Sequence, residues 1–312
     1  MSAGEFDFID WIRTRQSQPA RLLTGIGDDG AVIAGNSRCT VVVADMLMEG
    51  AHFEFPSASP EQAGRKSLAV NLSDIAAMGA VPEFAFVSIA VPQYRGHDFG
   101  QRVMKGLQTL AEEFDVVIAG GDTNSWDGPL VLNVTVTGTA SAPVHRNGAQ
   151  AGDWIFVTGE LGGTIFEHHL TFKPRLVEAA WLMANIRLTS MIDVSDGLSS
   201  DIFHVARASG VGFQLFAAQI PVSRRVEQHG VSLGSRAALQ HALNDGEDFE
   251  LLFTCHASDG RKLIELQAQG ALPECRLSHI GIVTTDRSDC DLRFPDQTQQ
   301  ALVAGGFQHK LG

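Results

Sequence analysis

Apolar positions along the chain fall into two alternating patterns, short continuous blocks and longer stripes at helical spacing. The block Cys39-Thr-Val-Val-Val-Ala44 reads as a buried strand running into Asp45. Over 60–78, Leu68, Leu72, Ile75 and Ala76 form an apolar stripe, while Ser67, Asn71 and Asp74 follow a polar one, and Gly79 supplies a C-terminal stop. A strand over 84–91, a helix over 98–114, an apolar strand over 116–122 and an alternating, half-exposed strand over 130–139 follow. These make two rough β-α-β units in the first 140 residues, preceded by a short amphipathic helix expected over 5–16 from Phe6, Ile9 and Ile12. The segment SAPVHRNGAQAGD over 141–153 is the clearest shift in composition and predicts a boundary between domains 1–140 and 141–312. Beyond it the pattern predicts strands over 154–158, 190–198, 211–216, 249–254 and 277–284, with helices over 174–187, 198–209, 235–243 and up to about 269.

Composition changes this picture little. The chain has 312 residues, 44% of them hydrophobic and 19% charged, as expected of a globular protein with one or two cores. No apolar run reaches the length of a membrane span. The opening MSAGEFDFIDW carries Glu5, Asp7 and Asp10 where a signal peptide would be basic. Cys39, Cys255, Cys275 and Cys290 are scattered and are expected as free thiols in a reducing cytoplasm. A formal net charge of −13 argues against nucleic acid or an anionic membrane as partner.

The placement of the acids is more informative. Gly25, Gly27 and Gly30 in TGIGDDGAVI match the letters of a dinucleotide fingerprint, but Ala-Val-Ile follows without a helical cap, so a strand is expected there instead. Asp28 and Asp29 would also repel phosphate by roughly 4 kcal/mol at 4 Å unless a cation lay between. Asp45, Asp74, Asp122, and the pair Asp193 and Asp196 repeat the same theme of an apolar element, a nearby glycine and a carboxylate. One Asp-Gly pair is an ordinary turn. Five such junctions predict convergence on one cleft, and a set of that many anions requires hard cations, with Mg²⁺ favoured by oxygen-only donors. Mg²⁺ on a few carboxylates points to phosphoryl transfer, in a chain without a Walker lysine loop or the protein-kinase motifs. Arg146 is either a contact for phosphate or base, or an ordinary surface arginine.

Taken together, GIGDDGAVI, VADMLMEGAHF, KSLAVNLSDIAAMGA, GGDT, HRNGAQAGDWIFVTG, MIDVSDGL, GEDFELLFT and the terminal GGFQH resemble the thiamine-monophosphate kinases of the aminoimidazole-ribonucleotide-synthetase-like superfamily. The likeness runs in order through nearly the whole chain. It implies a two-domain α+β and α/β fold, with an N-terminal mixed sheet forming a barrel in a homodimer and a C-terminal αβ domain. It also implies ATP- and Mg²⁺-dependent conversion of thiamine monophosphate to thiamine diphosphate. Position by position, Asp29, Asp45, Asp74, Asp122, Asp193 and Asp196 match metal-binding carboxylates of the family, and Gly121, Arg146 and Ser195 match ATP contacts. His52, Glu247 and Phe307 match the thiamine-phosphate pocket, although in isolation a buried strand histidine and a C-terminal packing residue would explain His52 and Phe307.

Three departures stand against that pattern. Val43 and Ala44 replace the usual hydroxyl residues before Asp45, Asp245 replaces a glycine before Gly246-Glu247-Asp248, and the segment between Gly163 and Pro174 is short. Two other readings therefore remain: a different ATP-dependent enzyme of the superfamily, or a catalytically reduced nucleotide-binding dimer. No cysteine precedes Cys39 and the chain ends His309-Lys-Leu-Gly312, which disfavours the selenophosphate-synthetase-like and hydrogenase-maturation-like versions of the first.

Overall fold

The structure is a computed structural model that describes residues 13–14, 19–35, 37–271 and 275–307. The helix expected over 5–16 lies outside them except for Arg13 and Thr14. Two sheets organise the rest. The first holds β1 (Leu22–Thr24), β2 (Ala31–Ile33), β3 (Cys39–Met48), β4 (Val81–Pro92), β5 (Val117–Trp126) and β6 (Val131–Ala140), in the order β1-β2-β3-β6-β4-β5. Helices α1 (Pro60–Ala77) and α2 (Gly96–Glu113) are the crossovers. β4 and β5 are parallel neighbours, whereas β6 inserts antiparallel between β3 and β4. The first β-α-β unit is thus split by a later strand.

The second sheet runs β13-β12-β9-β11-β7-β10-β8, built from β7 (Trp154–Thr158), β8 (Leu188–Asp193), β9 (Gly212–Phe216), β10 (Leu251–Cys255), β11 (Leu277–Thr284), β12 (Cys290–Arg293) and β13 (Gln299–Ala301). Around it lie α3 (His168–Thr171), α4 (Leu176–Asn185), α5 (Leu198–Ser209), α6 (Arg224–Gln228), α7 (Arg236–Asn244) and α8 (Ala257–Ala268). The pattern missed β12 and β13, which are short and follow turn-rich sequence. The strand expected over 190–198 ends at Asp193, because Gly197 turns the chain into α5.

Helix α1 joins the two halves. Ser59 caps it through a reciprocal bond with Gln62, Pro60 opens its first turn, and Gly79 at φ 61° follows its end. The polar stripe is buried in its first two members: Ser67 and Asn71 are almost fully enclosed. Their side chains bond the helix's own carbonyls, Ser67 Oγ to Gly64 O and Asn71 Nδ2 to Ser67 O. Packing rather than local polarity decided this, since α1 meets the first sheet and α2 on some sides and β8 and α4 on others. Ala76 and Ala77 join the core formed by Phe156, Met191 and Phe253 of the second sheet.

The crossing of α1 and α2 depends on two glycines. A Cβ on Gly64 would stand 1.9 Å from the Val103 carbonyl oxygen, and one on Gly106 would stand 1.8 Å from that of Glu61. Alanine's higher helix propensity is worth about 1 kcal/mol, while forcing the two backbones apart costs about 1–3 kcal/mol or more. Gly106→Ala is therefore expected to lower the melting temperature, read by circular dichroism. A variant that melts at or above wild type would contradict this packing.

Candidate active site

Four segments bring carboxylates together below the first sheet. Asp29 comes from the loop before β2, Asp45 from the middle of β3, Asp74 from α1 and Asp193 from the last position of β8. Carboxylate oxygens of Asp29, Asp74 and Asp193 all lie within 4.8 Å of one another. Asp45 shares a hydrogen bond with Asp74. Ser73 Oγ donates to Asp193 Oδ2 at 2.6 Å. Asp193 sits at a strand end and Asp74 in the last turn of α1, as the expected design of acids at element ends requires, whereas Asp45 comes from a strand interior and Asp29 from a loop.

Such a set resists ionisation. Burial pushes Asp193 up to about 8, helped by the charge of Asp29. Burial also pushes Asp29 up to about 6 against the pull of Arg146, and raises Asp45. Asp74 lies well above the usual carboxylate range through burial and then the charges of Asp45, Asp193 and Asp29. Asp29 Oδ2 is buried and meets no hydrogen-bond donor among the described residues. Clustered hard oxygens with one orphaned atom fit Mg²⁺, which prefers a few carboxylates and completes its shell with water and phosphate.

The direction of these shifts carries a prediction. A carboxyl that binds its proton more tightly folded than unfolded gives its full stability below the ordinary value of 3.8 and loses it as pH rises toward about 8. Metal-free protein is thus expected to melt at progressively lower temperature across that window, and Mg²⁺ is expected to raise the melting temperature more at about pH 8 than at about pH 5. Equal Mg²⁺ effects at both would contradict the cluster.

Arg146 is no ordinary surface residue. Its Nη2 lies 2.6 Å from Asp29 Oδ1, and its backbone N–H donates to Asp28 Oδ1 at 3.3 Å. Asp28 also faces His145 Nδ1 at 3.3 Å. A second acidic set adjoins the first: ligand atoms of Asp196, Asp201 and His204 lie within 4.8 Å of one another. Burial, with the charge of Asp196, raises Asp201 well above its ordinary value, and burial with Arg146 holds His204 down to about 4. Asp201 and His204 were not anticipated, although their spacing of three on one helix was a usable signal.

A cleft of about 400 Å³ opens beside these acids and is lined by Asp45, His52, Asp74, Asp193, Ser195, Asp196, Glu247 and Phe307. Eight predicted residues thus share one cavity, with Asp29 and Arg146 bonded at its edge. His52 lies in the turn after β3 rather than in a strand, and its Nδ1 accepts from the Met48 N–H at 3.0 Å. Phe307 is 53% exposed, which excludes simple core packing. Its backbone N–H donates to Asp196 O, while Gly305 and Gly306 N–H donate to Ser199 and Ser200 Oγ, so the tail is pinned across the start of α5.

Gly121 and Asp122 depart from expectation. They lie on β5 in a separate groove of about 730 Å³ between β4, β5 and α2, where Asn124 Nδ2 donates to Asp122 Oδ2 at 2.8 Å. With β6 and β4 between β3 and β5, Asp122 stands three strand spacings from Asp45, about 14 Å. Within a single chain it does not join the cluster. The other departures have local explanations. Val43 is buried and Ala44 exposed on β3, so neither side chain offers an oxygen. Asp245 is engaged by Gly163 N–H at 2.7 Å and His241 Nδ1 at 3.0 Å. Lys66, buried in the wall of the cleft, was also missed; it sits in the apolar stretch around Leu68 and Val70, where a lysine on a buried face was the available signal.

Known proteins share this arrangement. The family described as AIR synthase related protein, N-terminal domain, matches residues 27–140. The thiamine-monophosphate kinase of Rhodopirellula baltica is 38% identical over 269 residues, covering 84% of each chain. Among solved structures, AaThiL complexed with AMPPCP and TMP superposes with a TM-score of 0.83 at 26% identity, over 98% of this chain and 97% of that one. The thiamine-monophosphate kinase of Stenotrophomonas maltophilia K279a gives 0.71 at 32% identity, over 95% and 98%. Identity of this level over most of both chains, together with the superposition of the mixed sheets and connecting helices, places this protein in the thiamine-monophosphate kinase family, with an AIR synthase-like fold.

Proposed function

We propose that this protein transfers the terminal phosphoryl group of ATP directly to the phosphate of thiamine monophosphate, releasing ADP and thiamine diphosphate. The observation that carries the reading is the meeting of Asp29, Asp45, Asp74 and Asp193 beside the pocket that holds His52 and Glu247. A relative of the same fold is described as bound to AMPPCP and TMP, a nucleotide analogue and the acceptor.

The acceptor is a phosphate monoester whose second pKa is about 6, so near neutral pH it is already a dianionic nucleophile. No general base is needed. Asp29, Asp45, Asp74, Asp193 and Asp196 would hold Mg²⁺, which supplies charge screening between the two polyanions and stabilises charge on the transferring group. Arg146 is placed to meet nucleotide phosphate, exchanging its bond with Asp29 for one with the ligand. Ser195, next to Asp196 in the cleft wall, offers a hydroxyl to the same phosphates. His52, with Nδ1 occupied, presents Nε2–H as a donor, Glu247 offers a carboxylate, and the exposed ring of Phe307 gives the acceptor an apolar face.

The reading includes a homodimer. Met46, Met48, Phe84, Phe86 and Val117 leave one face of the first sheet apolar and exposed. β2 covers only Thr40 to Val42 of β3, and β5 ends the sheet without a neighbour on its outer side among the described residues. Pairing β5 of one copy with the free part of β3 in another closes a barrel, removes both edges and carries Asp122 of the second copy to Asp45 of the first. The groove holding Gly121 would then receive the rest of the nucleotide. Residues 1–140 form the nucleotide-binding and dimerisation domain in this view, and 141–312 complete the acceptor site. The free cysteines suit a cytoplasmic setting.

Incubation with Mg-ATP and a panel of phosphorylated acceptors tests the reading. ADP release dependent on thiamine monophosphate, with thiamine diphosphate as product and no phosphorylated residue in quenched reactions, is expected. Thermal stabilisation by Mg-ATP without turnover would overturn it in favour of a nucleotide-binding dimer.

A further inference from the structure

The wall of the acceptor cleft contains a buried cation. Lys66 of α1 is fully excluded from solvent. Its Nζ donates to the His52 carbonyl oxygen at 2.7 Å and to Glu247 Oε1 at 2.6 Å, and lies 2.9 Å from His169 Nδ1. An ammonium has three protons and no lone pair, so these three partners saturate it. It has no donor left for a ligand. Burying such a group is unfavourable unless every proton finds an acceptor, and an apolar side chain would suit the surrounding core better.

Two of the three partners have the acceptor in common. His52 and Glu247 are the two polar residues assigned to it, and they come from distant parts of the chain. Glu247 also needs holding. Its φ of 53° lies in the left-handed region, which a residue with a Cβ adopts only where its surroundings impose it. Its N–H donates to Ser195 O at 2.6 Å, and Thr164 Oγ1 donates to Gly246 O at 2.6 Å, which fixes the backbone but not the carboxylate. The carboxylate is fixed by Lys66 on one oxygen, and His169 Nδ1, which accepts from the same ammonium, lies 3.2 Å from the other. His169 belongs to α3, inside the short segment between Gly163 and Pro174. The shortened connection therefore supplies an arm of the acceptor pocket.

We propose that Lys66 is the positioning residue of the acceptor pocket, tying His52 and Glu247 to α1 with one solvent-excluded ammonium, and that His169 completes the clamp. This rests on the kinase reading, and it assigns to Lys66 an effect on acceptor affinity through residues it touches rather than through contact with substrate. Burial pushes the ammonium below the usual lysine range against the charge of Glu247, and, against its own burial, Glu247 is held below its usual range by its neighbours His169 and Lys66.

Steady-state kinetics with ATP and thiamine monophosphate test it. Wild-type enzyme without acceptor-dependent ADP formation would sink the kinase reading itself. With turnover established, Lys66→Met is expected to raise KM for thiamine monophosphate about tenfold or more, leaving KM for ATP within about twofold. His169→Gln is expected to move the same constant in the same direction by less. In a double-mutant cycle, Lys66→Met combined with Glu247→Gln is expected to raise KM by less than the two single effects combined, because only the tie to His52 is then left for the lysine to hold. A lower melting temperature with both KM values unchanged would reduce Lys66 to a structural role and overturn the proposal. A fall in kcat with acceptor KM unchanged would also overturn it, since that marks contact with the transferring group. Should Lys66→Met fail to fold, an unchanged acceptor KM in His169→Gln is sufficient to reject the clamp.

Discussion

Replacing Asp193 with asparagine is expected to reduce turnover by about a thousandfold or more, while metal-free protein at about pH 8 remains as stable as wild type or becomes more so. The two halves of that outcome have one cause. Asp193 is buried, pushed up to about 8, and crowded by Asp29 and Asp45. An amide of the same shape retains an oxygen to accept from Ser73 and removes a charge the empty site tolerates poorly. It also removes a ligand, and neutral amides hold Mg²⁺ less well than carboxylates. Activity and stability should therefore move in opposite directions, as for a site built to be completed by a cation. Parallel melts in EDTA and product assays in Mg-ATP measure both. An active variant, or one that unfolds, would show that Asp193 is not a metal ligand of the transfer site.

The second large effect concerns Asp122. Asp122→Asn is expected to abolish metal-dependent nucleotide binding with no change in melting temperature, because the residue is exposed and bonded only locally by Asn124. The more discriminating experiment mixes two inactive proteins. If Asp122 serves the cluster of another copy, a mixed dimer of Asp122→Asn and Asp193→Asn chains holds one intact site and one doubly damaged site. Half the dimers in an equilibrated mixture are mixed, so about a quarter of wild-type activity should return. No recovery after subunit exchange, confirmed by a tag on one chain, would place Asp122 in the site of its own chain and contradict the barrel.

Much of this was legible before any coordinates. The strand over 154–158, the helix over 198–209 and the strand over 277–284 fall where the apolar pattern puts them, because each is a strong periodic run with a clear break beside it. Strands β12 and β13 were not legible; they are short, partly exposed, and held by pairing with β9 and with each other rather than by a local signal. The acidic set was legible as repeated Asp residues near glycine, and Asp29, Asp74 and Asp193 converge. Lys66, Ser73 and His169 were not, since each matters through a partner 100 or more residues away: Lys66 through Glu247, Ser73 through Asp193 and His169 through Lys66.

By itself the sequence determined the longer elements, the recurrence of carboxylates beside glycine and the family, since these rest on periodicity, charge and ordered motifs carried by the chain alone. Which face of α1 is buried, which acids lie together, and that Asp122 lies beyond reach of Asp45 within one chain were decided only in three dimensions. The physical reason is strand order. β6 inserts between β3 and β4 and sets the width of sheet that separates Asp122 from the cluster, while the second sheet packs on the side of α1 that the first leaves open.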